Sequence, residues 1–381
     1  MRKRLRIVHW TTVLIAVVFV FALGWYGIPA RGQMAGVTLY ISGDTNIQEM
    51  FDKDLLPLFE RETSVKTKMV FLEHGQGGEA IVAKIIAAKR TGQKTDVDLY
   101  ETQPTYIAAG ASEGIWTKIT KDNVANAFKV DYNRPEVTVS NGFGIPYRGS
   151  SVVLAYNSKY VKTPPRTYDE ILAWIKQNPG KFTYCDPQTC GSGSAFVYVA
   201  LYKFSKAEDF SGLSYDAAKV KAWEPAFQLL RSLKPYIYNN GFYPNGNVAV
   251  LQLLGRENIY MAPVWSDQGV SYLDQGLLPK DIKLVQVTPP FTGGDSAIAI
   301  PVHAEHQASG LMFLNWLLTS KAQTIVVNKL AGYPGIDWKY MPKDVRDKFA
   351  GIATNFSPLP NGQYQADAKR LWQEMVAGSG Q

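Results

Sequence analysis

The chain has 381 residues, 46% of them hydrophobic and 19% charged, and a formal net charge of +7 at neutral pH. Arg2, Lys3, Arg4 and Arg6 supply four of those positives, so the remainder carries only +3. A surplus that small and unclustered argues against a nucleic-acid binder, which presents a basic face, and no repeat of fixed period is present.

The basic head is followed by an uncharged run, Thr11–Tyr26, and then by small, turn-prone Gly27-Ile28-Pro29-Ala30-Arg31-Gly32. Basic, then apolar, then small is the order of an export signal. Sixteen residues are fewer than the roughly 20 that span a bilayer comfortably. Residues 1–32 are therefore expected to be a signal peptide, cut after Ala30 or Gly32, or else retained as an anchor. The rest would work in the periplasm, and its length fits about two domains.

Val37-Thr38-Leu39-Tyr40-Ile41 reads as a strand, and Ile47, Met50, Phe51, Leu55, Leu56 and Phe59 share one face of a following helix. Lys66–Leu72 is a strand, Ala80–Ala88 a helix, Val97–Tyr100 a strand and Gln103–Ala111 a helix. That alternation predicts a parallel sheet covered on both faces, with ligand at the carboxyl ends of the strands. Further on, Ser151–Asn157 reads as a strand. Thr167 with Glu170 matches a capping box, opening a helix to about Gln177. Lys181–Tyr184 is expected to be a strand, Gly191–Phe204 a helix and Tyr215–Leu233 one long helix. Strands are expected over Asn258–Val264, Lys283–Val287 and Ser296–Ile300, and helices over Gln307–Leu318, from Ser320, and over Tyr364–Val376.

Cys185 and Cys190 are the two cysteines. In an exported chain a pair this close reads as a disulfide across the Asp186-Pro187 turn. A metal half-site at this spacing would need further ligands, and His74, His303 and His306 are remote in sequence.

Four stretches carry a family resemblance. They are Gly144–Tyr147 through Leu154–Asn157 with Thr163–Trp174; Gly255–Ile259 with Trp265-Ser266; Gly276–Pro279; and Ala297–Pro301 through Phe313–Leu318 with Ser320–Gln323. In order and spacing they resemble the extracellular solute-binding proteins of ABC importers, in the group that includes spermidine/putrescine, iron and thiamine binders. The resemblance implies an α/β, two-lobed periplasmic-binding-protein-like fold of type II with two interlobe crossings. Lobe 1 would be 37–146 plus 292–381 and lobe 2 148–290. It further implies a monomer with no cofactor, delivering a small molecule to a membrane permease driven by a cytoplasmic ATPase.

Each candidate contact has a plainer alternative. Trp265 beside Ser266 and Asp267 suits a cationic or ring-bearing ligand, or Asp267 caps a helix and Trp265 is core. Tyr40, Ser42 and Asp44 end the first strand, where the family's loop touches ligand, though Asp44 also fits an N-cap. Glu73 and Glu101 end the next two strands and would favour a cation if they converge. Gly75–Gly78 reads as a turn or as an anion-holding helix start. Ser192 and Ser194, in Gly191-Ser192-Gly193-Ser194, offer hydroxyls at a helix start beside the cysteines. Tyr147 and Arg148 sit at one presumed crossing and Asp295-Ser296 at the other. Arg148 pairs either with a ligand anion or with an acid across the hinge.

Absent a Gly-x-Ser-x-Gly elbow or a His-Glu-x-x-His motif, an extracytoplasmic hydrolase is the weaker reading and a binder the stronger. A small organic cation is the preferred solute; a phosphonate, a carboxylate or ferric iron is the alternative.

Overall fold

In the computed structural model the described residues are 36–43, 45–73, 77–131, 140–212, 214–349, 352 and 355–378. The export signal, Asp44 and Gly75-Gln76 of the glycine-rich turn fall outside them, and the Glu73 side chain is also not described. Among the described residues no helix is long and apolar enough to cross a membrane.

Val37, Leu39, Tyr40 and Ile41 are buried together in β1 (Val37–Gly43). Near-continuous burial is what a parallel strand covered on two faces requires. β2 (Thr67–Glu73) and β3 (Leu99–Thr102) flank it, both parallel to it, as the alternating pattern predicts. Helices over Leu56–Thr63, Gly78–Thr91 and Pro104–Ser112 make the crossovers and follow the last strand.

The next strand, β4 (Ile145–Asn157), begins six residues ahead of the expected Ser151 and serves two sheet regions. Its second half pairs antiparallel with β5 (Met261–Trp265) and β6 (Ile282–Val285). Its first half pairs antiparallel with β7 (Gly293–Ala299), which continues against β3. Two-residue β8 (Tyr333–Pro334) pairs with Arg148 and Gly149. The sheet is therefore mixed, ordered β2-β1-β3-β7-β4-β5.

Separate apolar clusters lie on the two regions. Leu39, Phe51, Phe59, Ile298, Phe313 and Val327 pack over the first. Val152, Leu154, Phe196, Trp223, Phe227 and Met261 pack over the second. Residues 35–381 nevertheless hold together as one unit by backbone contacts. The last helix, Gly362–Trp372, is capped by Asn361, whose side chain accepts from the Gln363 and Tyr364 amides. Tyr364, Ala368, Trp372 and Val376 pack into the second cluster, against Tyr184, Phe210 and Trp223. The sequence leaves open which core takes this helix; its apolar face is buried on the second.

The Thr167–Glu170 capping box is present in both directions. Two expected elements differ. Lys181–Tyr184 forms only an isolated bridge, Phe182 to Met261. Its carbonyls are taken from two sides, Lys181 by the Tyr260 amide and Phe182 by the Tyr238 amide, so no ladder develops. Tyr215–Leu233 is two pieces, tight turns over Ala217–Trp223 and then a helix over Glu224–Leu233. Pro225 has no amide to donate and starts the second piece in its first turn.

Candidate ligand-binding cleft

Two chambers meet at the crossing of β4 and β7. The smaller, about 410 Å³, is lined by Arg148, Ser150, Gly191, Trp265, Asp267 and Asp295, among others. The larger, about 710 Å³, lies at the carboxyl ends of β1 and β3 and is lined by Ser42, Val82, Ile86, Tyr100, Glu101 and Tyr106, among others. Gln103, Arg148 and Ser296 belong to both. Both volumes fall within the range of small-molecule sites.

Glu101, 2% exposed, is consumed by protein donors. Its Oε2 accepts from the Ser42 amide at 2.6 Å and the Ser42 hydroxyl at 3.1 Å. Its Oε1 accepts from the Tyr147 hydroxyl at 3.0 Å and Arg148 Nη2 at 3.3 Å. Four donors fill the four acceptor positions of a carboxylate. Glu101 therefore holds Arg148 rather than ligand. Arg148 Nε also donates to the Tyr147 hydroxyl at 2.8 Å. Burial, reinforced by Glu101 and only partly offset by Arg148, raises the Tyr147 pKa far above its ordinary value. Burial works against the Arg148 charge, but Tyr147 and Glu101 outweigh it and hold the guanidinium protonated. Of the two pairings open to Arg148, the structure shows the one with an acid.

Asp267 begins the helix after β5, and its Oδ1 accepts from the Ser150 hydroxyl at 2.8 Å and the Gln268 amide at 2.9 Å. Burial raises its pKa; the Ser150 hydroxyl, the Gln268 amide and Arg148 oppose that only in part. Asp295, on β7, is 4% exposed and packs on Gly149, where a Cβ would collide with its carboxylate. Glycine at that point of β4 is what gives the acid its place. The Trp265 indole lies on Gly191, whose missing Cβ would stand 2.7 Å from the ring.

Cys185 and Cys190 form a disulfide with Cα atoms 6.2 Å apart. It closes the loop that opens the helix Gly191–Tyr202, and Cys190 lines the smaller chamber. Ser194 lines it too, but its hydroxyl is spent on the Pro187 and Cys190 carbonyls at 3.1 and 3.0 Å. Ser192 is buried outside both chambers, with its amide and hydroxyl on Asn247 Oδ1 at 3.2 and 2.9 Å.

Of the residues singled out in sequence, Ser194, Trp265, Asp267 and Asp295 line the smaller chamber, and Ser42 and Glu101 the larger. Tyr40 lines neither; it is 7% exposed, with its hydroxyl on Asp96 at 3.4 Å. Tyr147 is fully buried against Phe51 and acts only through Glu101 and Arg148. Gln103, Tyr198, Asn247, Gln268, Gln365 and Lys369 line the smaller chamber and carried no signal in sequence. Gln365 and Lys369 fall in what reads there as an ordinary amphipathic last helix. Among the described residues no three of His, Cys, Asp and Glu gather as a metal ion would require.

The family model for bacterial extracellular solute-binding proteins matches residues 59–340. Protein YnjB of Escherichia coli is 26% identical over 192 residues, which is 48% of each chain. A maltotriose-binding protein of Pyrococcus abyssi is 24% identical over 214 residues, 52% of this chain and 44% of that one. The chain thus spans about half the length of the curated relatives it matches. Solved structures agree in fold over far more. A candidate extracellular solute-binding protein of Bordetella parapertussis superposes with a TM-score of 0.72 at 14% identity, covering 90% of this chain and 99% of that one. The spermidine/putrescine substrate-binding protein PotD of Streptococcus pneumoniae gives 0.65 at 15%, covering 90% and 98%. A Bordetella ferric binding protein gives 0.63 at 18%, covering 89% and 98%. Matched by that family model over most of its length, and folded as these structures are, the chain belongs to the bacterial extracellular solute-binding protein family.

Proposed function

We propose that this protein is the periplasmic, monomeric solute-binding component of an ABC importer and captures a small solute bearing a positively charged group. The leader over residues 1–32 directs export. Lobe 1 is 37–146 with about 292–349, and lobe 2 is 148–290 with the last helix, whose apolar face packs there. The lobes hinge on β4 and β7 and close over the solute, which favours closure by binding that state more tightly. The closed form delivers it to a membrane permease coupled to a cytoplasmic ATPase.

One observation carries the choice of solute. Asp267, Asp295 and the half-buried Trp265 line one chamber, where the only guanidinium among the described lining residues, that of Arg148, is already paired with Glu101. Two carboxylates and an aromatic face attract a cation by charge and by cation–π interaction. A fold neighbour named for spermidine and putrescine accords with this. The ferric alternative draws no support from the described residues, where no metal-ligand cluster forms.

A thermal-shift panel of polyamines, thiamine, amino-carboxylates, phosphonates and ferric complexes tests the reading. Cationic solutes should raise the melting temperature without turnover. Trp265→Ala should weaken the binder found by about tenfold. Stabilisation by purely anionic solutes alone, or appearance of a product, would overturn it.

A further inference from the structure

The smaller chamber has two electrically different ends. Its hinge end holds Asp267 and Asp295, each packed against β4, with Arg148 and Glu101 beside them. Arg148 is already paired there with Glu101. Its other end is the disulfide loop and the last helix. Gln188 of that loop donates from Nε2 to the Lys369 carbonyl at 2.7 Å, fixing this turn of the helix against the loop. The Lys369 side chain lines the chamber, partly buried, and its ammonium makes no ion pair or hydrogen bond with the described residues.

The acids around Lys369 are engaged elsewhere. Asp367 pairs with Arg370 at 2.9 Å and takes the Tyr215 hydroxyl, Glu374 pairs with Arg370, and Asp186 accepts from the Gln188 amide. A further polar residue lines the same chamber. Tyr198 is 2% exposed, and its buried hydroxyl has no hydrogen-bond partner of good geometry among the described residues. A partly enclosed ammonium and a buried hydroxyl, neither with an acidic partner, are what an anionic group satisfies.

We propose that the solute is dipolar, with an ammonium held at the hinge end by Asp267, Asp295 and Trp265 and a carboxylate or phosphonate held at the loop end by Lys369. This deepens the cation reading and rests on it: Lys369 selects which cation is taken. Opposite charges facing each other across one chamber discriminate in both directions. A solute with a second ammonium meets Lys369 as a like charge, and one with no amine forgoes the attraction of the acids at the hinge end.

Isothermal titration of the full chain with four solutes of one length tests this: butylamine, putrescine, 4-aminobutyrate and 4-aminobutylphosphonate. The two dipolar solutes should bind at least about tenfold tighter than the other two, and which of them is tighter identifies the anion. Lys369→Met should cost the dipolar solutes about 10- to 100-fold and leave butylamine within about twofold. Lys369→Gln serves as a second variant should Lys369→Met fold poorly. Putrescine binding tighter than 4-aminobutyrate, or equal losses for butylamine and 4-aminobutyrate in both variants, overturns the dipolar proposal alone. If none of the four binds, or if Asp267→Asn alters no binding, the cation reading falls and this proposal with it.

Discussion

The two chambers share Gln103, Arg148 and Ser296 yet are built in opposite ways. The larger draws nearly its whole wall from residues 42–106, and much of that wall is Val82, Ala83, Ile86, Tyr100 and Tyr106. The smaller gathers residues from 103 to 369 and holds Asp267, Asp295 and Lys369, while the larger adds Glu79 to Arg148 and Glu101. Contiguous sequence thus makes room, while remote sequence makes chemistry. Glu101 marks the border. It lines the roomy chamber but spends its charge on orienting Arg148, which faces both. On the function proposed here, selection of a solute would belong to the smaller chamber, and the larger one would admit it or accommodate an extension.

That division can be broken at several points. Asp267→Asn should have the largest effect, a loss of about 100-fold in affinity for a cationic solute, because it leaves a desolvated charge unmet. The pH profile sharpens this. Burial raises the Asp267 pKa, so on acidification cation affinity should begin to fall at a higher pH than an ordinary aspartate would give. Calorimetry across a pH series should show that early fall in the native protein and lose it in the variant. Gly191→Ala comes next. Its new methyl would press on the Trp265 ring and displace it, which should cost about fivefold in affinity and shift the tryptophan emission on ligand addition. The smallest change is expected from Ile86→Gln in the larger chamber, within about twofold for a small solute. A loss there as large as that of Asp267→Asn would mean that the two chambers do not divide the work as described.

Local elements of the fold were legible because their causes are local. The Thr167–Glu170 box lies within four residues, and each group finds its partner before any tertiary contact forms. The strand-helix alternation of the first hundred residues likewise gave the three parallel strands, and with them the rule that places Ser42 and Glu101 at a cavity. A misread element, and the one question the sequence left open, fell where distant partners decide. Lys181–Tyr184 has the composition of a strand, but its carbonyls are claimed by Tyr238 and Tyr260. The last helix has an apolar stripe that any core could bury, and only packing against Tyr184, Phe210 and Trp223 says which one does.

By itself, then, the sequence determined an exported-type leader pattern, a pair of cysteines spaced for a disulfide, an α/β framework and a family likeness. All of these depend on residues within a few positions of one another or on their order along the chain. The tertiary structure alone decided that Glu101 is spent on Arg148, that Ser192 turns to Asn247, and that Lys369 comes to the same chamber as Asp267. Charge acts through distance in space, and residues 101, 267 and 369 acquire those distances only once the chain has crossed between its two sheet regions and returned.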